Sequence, residues 1–422
     1  MALPRIPIPK DRRFRPSLVG YNPTRRNRLA ELAGYGLLFC AFIAVLVLTY
    51  ATLPWLMTLP ASPLAQGGVL TSAGLVVYGL VAAALSFLVV AIAALILILM
   101  LRKYLARVQN RIGPVHNGPG GAFQTVADAI KLVSKEDFVP DQADPVVFTL
   151  APAMVFVSAF LLLTVIPFAP TWVLADLSAG LLFIIAAGTL GAYGVLAAGW
   201  SVSNKYGLLG GLRGAAQLVS YEVPLSLSLL SVAVWAGSLN LFTIVESQRY
   251  VWTVFPLFIP ASVYLIASLA EIKMTPFDLP EAESELVAGF NTEYSGMRFG
   301  FFFVAEFAEL FLLPAIAVVL FFGGYHQPFA GLFDLGVVLA NLGEPGTLLR
   351  DLGGFLANFY GMMWVLVKTA VLSWLIMWVR ATLPRFRDDQ LMELCWKVLM
   401  PLSFVGLMVA VVMRLVFRGF GG

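Results

Sequence analysis

The sequence predicts an all-α membrane protein that crosses the bilayer about nine times, and three observations support this fold class. First, 60% of the 422 residues are hydrophobic and only 12% are charged, about half the charged fraction of a soluble globular domain. Second, the apolar residues form stretches of about 20, the length that a helix needs to cross a hydrocarbon core of about 30 Å while satisfying its own backbone groups. Third, the basic residues are concentrated in alternate loops between these stretches.

Nine apolar stretches are long enough to be predicted as transmembrane helices. They lie at 33–53, 71–101, 147–168, 177–200, 214–236, 252–270, 299–322, 360–379 and 397–417. Residues 1–32 are rich in Pro and Arg, which predicts a disordered or surface-lying cytoplasmic arm. A signal peptide cleaved near Ala65 is the alternative explanation of the first stretch.

The placement of Lys and Arg predicts how these helices are oriented. If the N-terminus lies inside, the inner segments carry 22 of the 27 Lys and Arg residues. These segments are 1–32, 102–146, 201–213, 271–298 and 380–397. Because cytoplasmic loops carry the excess of basic residues, we expect a cytoplasmic N-terminus, a periplasmic C-terminus and a long outer loop at 323–359.

Soft metal ligands are scarce in this chain. Cys40, Cys395, His116 and His326 are its only cysteines and histidines. An iron-sulfur cluster usually takes four thiolates, and haem needs a well-placed axial ligand. Phosphate-binding and dinucleotide-binding glycine motifs are also absent from the sequence. We therefore predict no metal site, no bound cofactor and no nucleic-acid partner, and we interpret both cysteines as core residues.

Carboxylates are crowded into one part of the chain. Eight of the 24 acids lie between residues 271 and 309, and Lys273 and Arg298 are the only basic residues among them. They are Glu271, Asp278, Glu281, Glu283, Glu285, Glu293, Glu306 and Glu309. Crowded carboxylates cannot all ionise, so some are expected to exchange protons near neutral pH. The alternative is a solvated acidic loop (271–298) in which Asp278 and Glu281 favour a helix start around Pro280.

Membrane depth distinguishes Glu306 and Glu309 from the other acids. They lie one helical turn apart and roughly 10 Å or more inside a predicted span. Each would cost about 2.5–3.5 kcal/mol if it faced lipid, so both must face protein or water. Glu222 and Lys368 are buried in the same way in two other spans, and a structural ion pair is the alternative role of Lys368. We predict that these residues and the acidic loop form a hydrated polar file that begins at the cytoplasm.

A second pattern follows the second predicted span. One helical face is apolar and the opposite face is polar, which predicts a helix lying at the membrane interface. The two faces are Phe123, Val126, Ala127 and Ile130 against Gln124, Asp128, Lys131 and Lys135. Glycines and prolines between 113 and 121 predict an irregular turn before it. Such a helix can leave an opening through which a lipid-soluble molecule enters sideways, and simple anchoring is the alternative.

In this order, these patterns resemble the family of the heel subunit, or H subunit, of bacterial NADH-quinone oxidoreductase, respiratory complex I. The matching stretches are RVQNRIGP, FQTVADAIKLVSKED, AAGWSVSNKYGLLGGLRGAAQLVSYE, TPFDLPEAESELVAGFNTEYSGM, FFFVAEF and RATLPRFRDDQLM. The resemblance covers residues 70–417, which are expected to be the family's eight-helix domain. Residues 33–69, with the first span and an outer loop, look like an addition to it, preceded by the arm at 1–32.

The resemblance implies a subunit of the bacterial inner membrane that carries no redox centre and encloses most of a narrow quinone chamber. Carried over by motif, the chamber residues are Arg102, Asp128, Ala129 and Lys131, with Arg111 close by. The acids that lead from the chamber into the membrane are Glu222, Glu271, Glu281, Glu283, Glu285, Glu293 and Glu306, and Asp278 belongs to the same loop. Glu309 and Lys368 join this proton relay through their membrane depth.

The implied partners follow from the same resemblance. They are quinone (ubiquinone or menaquinone), the peripheral iron-sulfur and quinone-site subunits, and small membrane and antiporter-like subunits, with FMN and iron-sulfur clusters held by the partner subunits. Two other functions remain open on the sequence: the related membrane subunit of an energy-converting hydrogenase, and a free-standing cation/proton transporter. The complete interfacial-helix motif and the PEAESE loop favour the quinone enzyme over the hydrogenase. The lack of internal repeats counts against a transporter.

The sequence departs from the family pattern at three places. Leu101 occupies the place of a usual Glu, so one expected carboxylate is missing. Val115, His116 and Asn117 replace the common Asn-Arg-Val of the glycine turn. Met274 stands where Arg commonly precedes the PFD motif, with Lys273 as a substitute one residue earlier. These departures are expected to alter the electrostatics of the chamber and to leave the fold intact.

Overall fold

Helices make up nearly all of the regular structure in the described part of the chain. The computed structural model describes residues 25–58, 65–66, 69–70, 72–328, 334–341 and 348–419. The one β element there is a short antiparallel pair, β1 (Ala65–Gln66) and β2 (Val69–Leu70). The predicted all-α fold class is confirmed. The predicted arm at 1–32 lies mostly outside the described residues.

The long helices account for most of the predicted spans. They are α1 (Arg25–Thr58), α2 (Ser72–Val108), α4 (Pro145–Val165), α5 (Gly180–Ser201), α6 (Lys205–Ala236), α10 (Gly296–Phe321), α12 (Leu348–Thr382) and α14 (Met400–Gly419). A short helix α13 (Asp388–Glu393) and a π-helical turn (Leu394–Leu399) run continuously into α14. By length and composition, eight helices of the described chain can cross a membrane.

Shorter helices fill the connections between the long ones. They are α3 (Gln124–Ser134), α7 (Leu241–Ser247), α8 (Phe258–Glu271), α9 (Glu283–Leu286) and α11 (Leu335–Ala340). Helix α3 confirms the predicted amphipathic helix, and its apolar Ile130 and Val133 are exposed, as expected for a face turned to lipid. The helix expected to start around Pro280 is absent, because the chain there forms turns until α9 begins at Glu283.

Several predicted spans differ from the structure in length. Helix α12 begins 12 residues before the predicted start at 360, and α1 extends beyond both predicted ends. The stretch predicted at 252–270 is helical only over the 14 residues of α8, which is about 21 Å long and too short to cross the core by itself. Helix α6 begins at Lys205, nine residues before the predicted start. Its first turns are rich in glycine, and hydropathy therefore misses them. Close packing against α5 holds these turns in a helix. An added Cβ at Gly199 of α5 would lie only 2.5 Å from Gly211 Cα, and small residues permit such a close approach of two helices.

Helix α10 lies at the centre of the bundle, where it packs against α2, α4 and α12. Nearly every side chain from Phe307 to Phe321 is buried. Glu309 is 6% exposed, and the side chain of Glu306 is 14% exposed. The inference that both carboxylates face protein or a polar cavity, and not lipid, is therefore confirmed.

Prolines interrupt the hydrogen-bond ladders of α6 and α10. Pro224 and Pro314 lack an N–H, so the carbonyls four residues earlier lose their helical donors. Other helices supply the replacement. Cys395 Sγ donates to Ser220 O at 3.1 Å, and Ser373 Oγ donates to Leu310 O at 3.0 Å. Cys395 is buried as predicted, whereas Cys40 is exposed on α1, so the prediction of a core position is wrong for Cys40. Cys395 also satisfies a backbone group that a membrane interior leaves without water.

Replacing Cys395 tests this hydrogen bond. Cys395→Ala is expected to lower the free energy of unfolding by about 1 kcal/mol or more, because Ser220 O loses its donor and sulfur volume is lost. Cys395→Ser keeps a donor and is expected to lose less. Thermal unfolding of the purified protein in detergent measures both, with the exposed Cys40→Ala as the control. Equal losses for Ser and Ala would mean that only the packing of the sulfur matters.

Candidate functional site: a polar cavity beneath the acidic loop

A cavity of about 390 Å³ lies beneath the acidic loop, between α2, α10 and α12. Its polar lining is Arg102, Asp278, Glu281, Asn291, Glu306 and Arg380. The remaining wall is apolar and includes Leu101, Phe299 and Phe303. Pockets of a few hundred Å³ with few polar groups are typical of small-molecule sites. Leu101, at the position where the resemblance led us to expect Glu, contributes an apolar side chain to this wall.

The α2 wall of the cavity is joined to the interfacial helix. Arg102 Nη1 on α2 donates to Asp128 Oδ2 on α3, and Gln124 Nε2 donates to Asp128 Oδ1 at 3.2 Å. These contacts bring two of the predicted chamber residues together. Arg102 lines the cavity, and Asp128 contacts it from behind. The other predicted chamber residues do not line the cavity: Ala129 is half-buried beside Asp128, Lys131 is exposed, and Arg111 is exposed with its Nε donating to Gln109 Oε1.

The acidic loop is folded back over the cavity by backbone contacts. Gln217 Nε2 on α6 donates to Ala270 O at 2.7 Å and to Phe277 O at 2.9 Å. Gly289 has φ of 53°, and an added Cβ there would lie 1.7 Å from Pro280 O. Only glycine fits such a left-handed, crowded position. The loop is thereby closed on itself, and its Asp278 and Glu281 line the cavity.

Glu281 is the loop carboxylate whose environment most favours proton exchange. Burial and, after it, the charge of Asp278 raise the pKa of Glu281, and Lys273, Arg380 and the hydrogen bond from Asn291 oppose the shift, so that the pKa lies at about 7. Asn291 Nδ2 donates to Glu281 Oε1 at 2.6 Å. A carboxyl group with such a pKa holds and releases a proton in the physiological range.

Glu281→Gln is expected to make stability less dependent on pH. Above pH 4.5 the unfolded carboxyl ionises while the folded one keeps its proton until about pH 7. Ionisation therefore favours the unfolded state in that window, and wild-type stability falls as pH rises through it. Gln cannot ionise. The melting temperature of wild type minus that of Glu281→Gln is expected to decrease from pH 5 to about 7.5 and then level off.

Glu285→Gln is the matched control for this pH series. Two arginines contact Glu285: Arg213 Nη1 at 2.7 Å and Arg385 Nη2 at 2.8 Å. The hydrogen bond from Arg213, with the charges of both arginines, lowers the pKa of Glu285, so this group stays ionised throughout the window. A pH-independent difference between wild type and Glu281→Gln would contradict the assignment to Glu281.

Two ion pairs continue the polar groups from the cavity into α10. Arg380 Nη1 lies 3.8 Å from Glu306 Oε1, and Lys273 Nζ lies 3.4 Å from Glu309 Oε2 with both side chains buried. Burial alone would lower the pKa of Lys273, but Glu309, Glu306 and the neighbouring acids raise it on balance. Met274 is buried in the core, and Lys273 supplies a cation in its neighbourhood.

Glu222 and Glu271 meet at a smaller cavity between α5, α6 and α8. It has a volume of about 20 Å³, room for about one water molecule. Thr189 Oγ1 donates to Glu222 Oε1. An added Cβ at Gly188 would lie 3.1 Å from Glu271 Oε1, so the glycine leaves space for this carboxylate.

The remaining predicted relay residues lie elsewhere. Glu293 Oε1 accepts from Asn204 Nδ2 at 3.0 Å, and Glu285 joins two arginines at the rim. The side chain of Glu283 lies outside the described residues. Lys368 Nζ donates to Phe322 O, Gly324 O and His326 O at 2.6–2.9 Å. These carbonyls lie at and after the end of α10 that is farther from the acidic loop, so Lys368 is separated from the predicted relay acids. Its partners are backbone carbonyls and not the carboxylate of a structural ion pair.

Sequence reasoning missed the main counter-charges of the acidic loop. Arg298 pairs with Asp137 at 3.4 Å and does not neutralise the loop acids. Arg213, Arg380 and Arg385 do so from α6, from α12 and from the segment after α12. The RATLPRFRDDQLM stretch contained two of these arginines, but only packing brings them to the loop. Within the described chain, Arg380 Nη1 is buried without a hydrogen-bond acceptor.

Taken together, the geometry defines a polytopic helical membrane protein in which a cavity at one end of the bundle leads to buried carboxylates. A family model described as NADH dehydrogenase matches residues 80–411. The chain is 45% identical over 320 residues to the NADH-quinone oxidoreductase H subunit of Geobacillus kaustophilus, covering 75% of this chain and 88% of that protein.

Two further relatives bear the same description. The H subunit of Brevibacillus brevis is 44% identical, with 74% of this chain and 85% of the relative covered. The first H subunit of Symbiobacterium thermophilum is 41% identical, with 76% of this chain and 91% of the relative covered. The chain belongs to the NADH dehydrogenase family, which confirms the resemblance drawn from its motifs.

Proposed function

We propose that the cavity beneath the acidic loop is the inner part of a quinone chamber, and that the carboxylates around it couple quinone reduction to proton translocation. The chain is a membrane subunit of NADH-quinone oxidoreductase, a multi-pass protein of the bacterial inner membrane. One observation carries the proposal. Arg102 and the acids Asp278, Glu281 and Glu306 line the same cavity, so the predicted chamber and the predicted relay meet there.

The lining suits a quinone headgroup. Phe299 and Phe303 offer an apolar wall to the ring, while Arg102 and Arg380 offer cationic donors to its carbonyl oxygens. The buried Arg380 Nη1 has no acceptor among the described residues, and such a donor is costly unless a ligand or water accepts from it. The electrons come from iron-sulfur partner subunits, which together with an FMN subunit and other membrane subunits are the proposed partners. This chain binds and orients the quinone and supplies protons.

Reduction of a quinone to a quinol consumes two electrons and two protons. Glu281, with a pKa of about 7, is the proposed proton donor nearest the headgroup. It supplies one proton, and it supplies the second after it has been reprotonated from the acids behind it. A negative charge left on Glu281 then disfavours further negative charge on Asp278 and Glu306 across the cavity. The same charge attracts Arg380 and Lys273 more strongly. Protons drawn along Glu306, Glu309, Glu271 and Glu222 restore neutrality, which links the charge of the quinone to the membrane interior.

Other predicted residues receive different roles. Glu285 and Glu293 hold the loop in place through Arg213, Arg385 and Asn204. Ala129, Lys131 and Arg111 are assigned to the rim of the chamber, where partner subunits would complete it. Glu283 stays a predicted relay residue. Lys368 is proposed to stabilise the far end of α10 and not to carry protons.

We also propose nine membrane crossings, the ninth made by α8 together with the turns that precede it from residue 252, with the N-terminus inside and the C-terminus outside. The division into an arm (1–32), an added segment (33–69) and the family domain (70–417) belongs to the same proposal. A reporter fused after Gly422 is expected to report a periplasmic location, and one inserted in the acidic loop a cytoplasmic location, because 22 of 27 basic residues fall in the inner segments. A cytoplasmic C-terminus would contradict nine crossings.

Purification through a tag on this chain tests the function. We expect an assembly that oxidises NADH with ubiquinone or menaquinone and pumps protons. A nickel-containing assembly that evolves hydrogen would instead indicate an energy-converting hydrogenase. Cation/proton exchange by the isolated chain in vesicles would indicate a transporter. The relatives named as NADH-quinone oxidoreductase subunits favour the first outcome.

A further inference from the structure

A second cavity lies on the opposite side of α2 from the proposed quinone chamber. It has a volume of about 290 Å³ and is bounded by α1, α2 and α12. Lys103 and Arg107 on α2 line it, whereas Arg102 and Leu105 of the same helix line the chamber. The two cavities therefore share a wall but no α2 residue, and the proposal for the second does not depend on the function proposed for the first.

The charged part of this cavity is cationic. Lys103 is 9% exposed, its Nζ donates to Gly120 O, and it lies 4.7 Å from the centre of the Tyr35 ring. Arg107 lies in the last turn of α2 and is exposed. No carboxylate of the described chain forms an ion pair with Arg107. An exposed arginine at the end of a membrane helix attracts an anion at headgroup depth.

The rest of the lining is apolar and aromatic. Leu97 and Met100 continue along α2 into the membrane, and Met100 is exposed. Trp374 on α12 stands half exposed at the side, with its ring 6.1 Å from that of Tyr104 in an edge-to-face contact. Aromatic rings of this kind are enriched where headgroups meet acyl chains. A ligand with a negative head and an apolar tail matches both halves of the cavity.

We propose that an anionic phospholipid of the phosphatidylglycerol class binds between α1, α2 and α12. Its phosphate contacts Arg107, and one acyl chain lies along Leu97, Met100 and Trp374. Tyr35 of α1 forms part of the lining, so the added N-terminal helix helps to build the site. The bound lipid fills the space between α1 and α12 and thereby supports the helix that carries Arg102.

Lipid titration of the purified complex tests the proposal. The delipidated complex is titrated with palmitoyl-oleoyl phosphatidylglycerol or phosphatidylcholine in detergent micelles, and bound lipid is counted by native mass spectrometry. Wild type is expected to bind phosphatidylglycerol in preference to phosphatidylcholine. Arg107→Gln is expected to bind phosphatidylglycerol about fivefold more weakly, the usual contribution of one basic residue near a membrane surface. Arg387→Gln, which removes a cation that is 79% exposed, is expected to match wild type.

A second variant fills the cavity without removing a charge. Ala370 is an exposed lining residue of α12, and Ala370→Phe is expected to abolish binding of one phosphatidylglycerol molecule per complex. Equal phosphatidylglycerol binding by wild type and Arg107→Gln, or equal binding of the two lipids by wild type, would overturn the proposal. The proposal would also be overturned if inorganic phosphate alone stabilised wild type as much as phosphatidylglycerol does, because that result would indicate a free-anion site. Loss of a protein subunit from Ala370→Phe with unchanged lipid counts would mean that a partner helix occupies the cavity.

Discussion

Glu306→Gln is expected to reduce NADH:quinone turnover and proton pumping by about a hundredfold or more, the smaller end of the range for lost proton transfer. The carboxylate lines the cavity, lies 3.8 Å from Arg380 and is nearly buried. Gln keeps the shape and most of the hydrogen bonding but cannot gain or lose a proton. Glu306→Asp, which can titrate, is expected to recover part of the loss. Assembly, turnover with quinone and the proton gradient are measured on the same purified complex.

Glu393→Gln is the control for Glu306, because Glu393 forms an exposed pair with Lys397 away from the cavity. It is expected to leave all three measurements unchanged. If Glu306 only hydrogen-bonds a neighbouring helix, Gln should serve nearly as well as Glu. Wild-type values for all three measurements in Glu306→Gln would remove this residue from the relay.

Asp128→Asn is expected to raise the KM for quinone by about tenfold, since misplacing one group in a binding site has effects of this order, while oxidation of NADH by ferricyanide stays near wild type. Asp128 holds Arg102 at the cavity wall, and Asn leaves the guanidinium without a charged partner. The pair is partly exposed, so its loss costs little stability and the complex is expected to assemble.

The control for Asp128 is Asp141→Asn, an exposed residue of the same connection. Arg102→Gln and the double variant complete a mutant cycle. If Asp128 acts by positioning Arg102, the double variant is expected to be no worse than Arg102→Gln alone. Parallel loss of the quinone and ferricyanide activities would point to failed assembly, and additive effects would mean that Asp128 contacts quinone independently.

Hydropathy predicts most of this fold because the membrane imposes one strong rule on length and polarity. Eight of the nine predicted stretches correspond to helices that can cross the bilayer. The rule fails where packing between helices decides at which residue a helix begins or ends. The glycine-rich start of α6 is held in a helix by its packing on α5, which Gly199 and Gly211 allow to come close. The stretch predicted at 252–270 is helical only from Phe258, because the residues before it form turns.

The acids of the site could be found from sequence, but their partners could not. Glu306 and Glu309 were evident because a carboxylate in an apolar span is costly. Arg380 and Arg213 lie 74 and 93 residues from Glu306 along the chain, and only the tertiary fold brings arginines to the acidic loop. The same limit explains Lys368, whose depth in a span suggested the relay although its partners are backbone carbonyls.

The proline interruptions in α6 and α10 have a mechanical consequence. A proline kink ordinarily gives a helix a flexible joint, because one rung of its ladder is missing. Here the open rung of each helix is bridged from outside, by Cys395 after α13 and by Ser373 on α12. Neither joint can change its angle without stretching a bond to another helix. Glu222 lies two residues before Pro224, and Glu309 lies five residues before Pro314. The positions of these carboxylates are therefore fixed by the bend angles of α6 and α10, which the hydrogen bonds from Cys395 and Ser373 restrain.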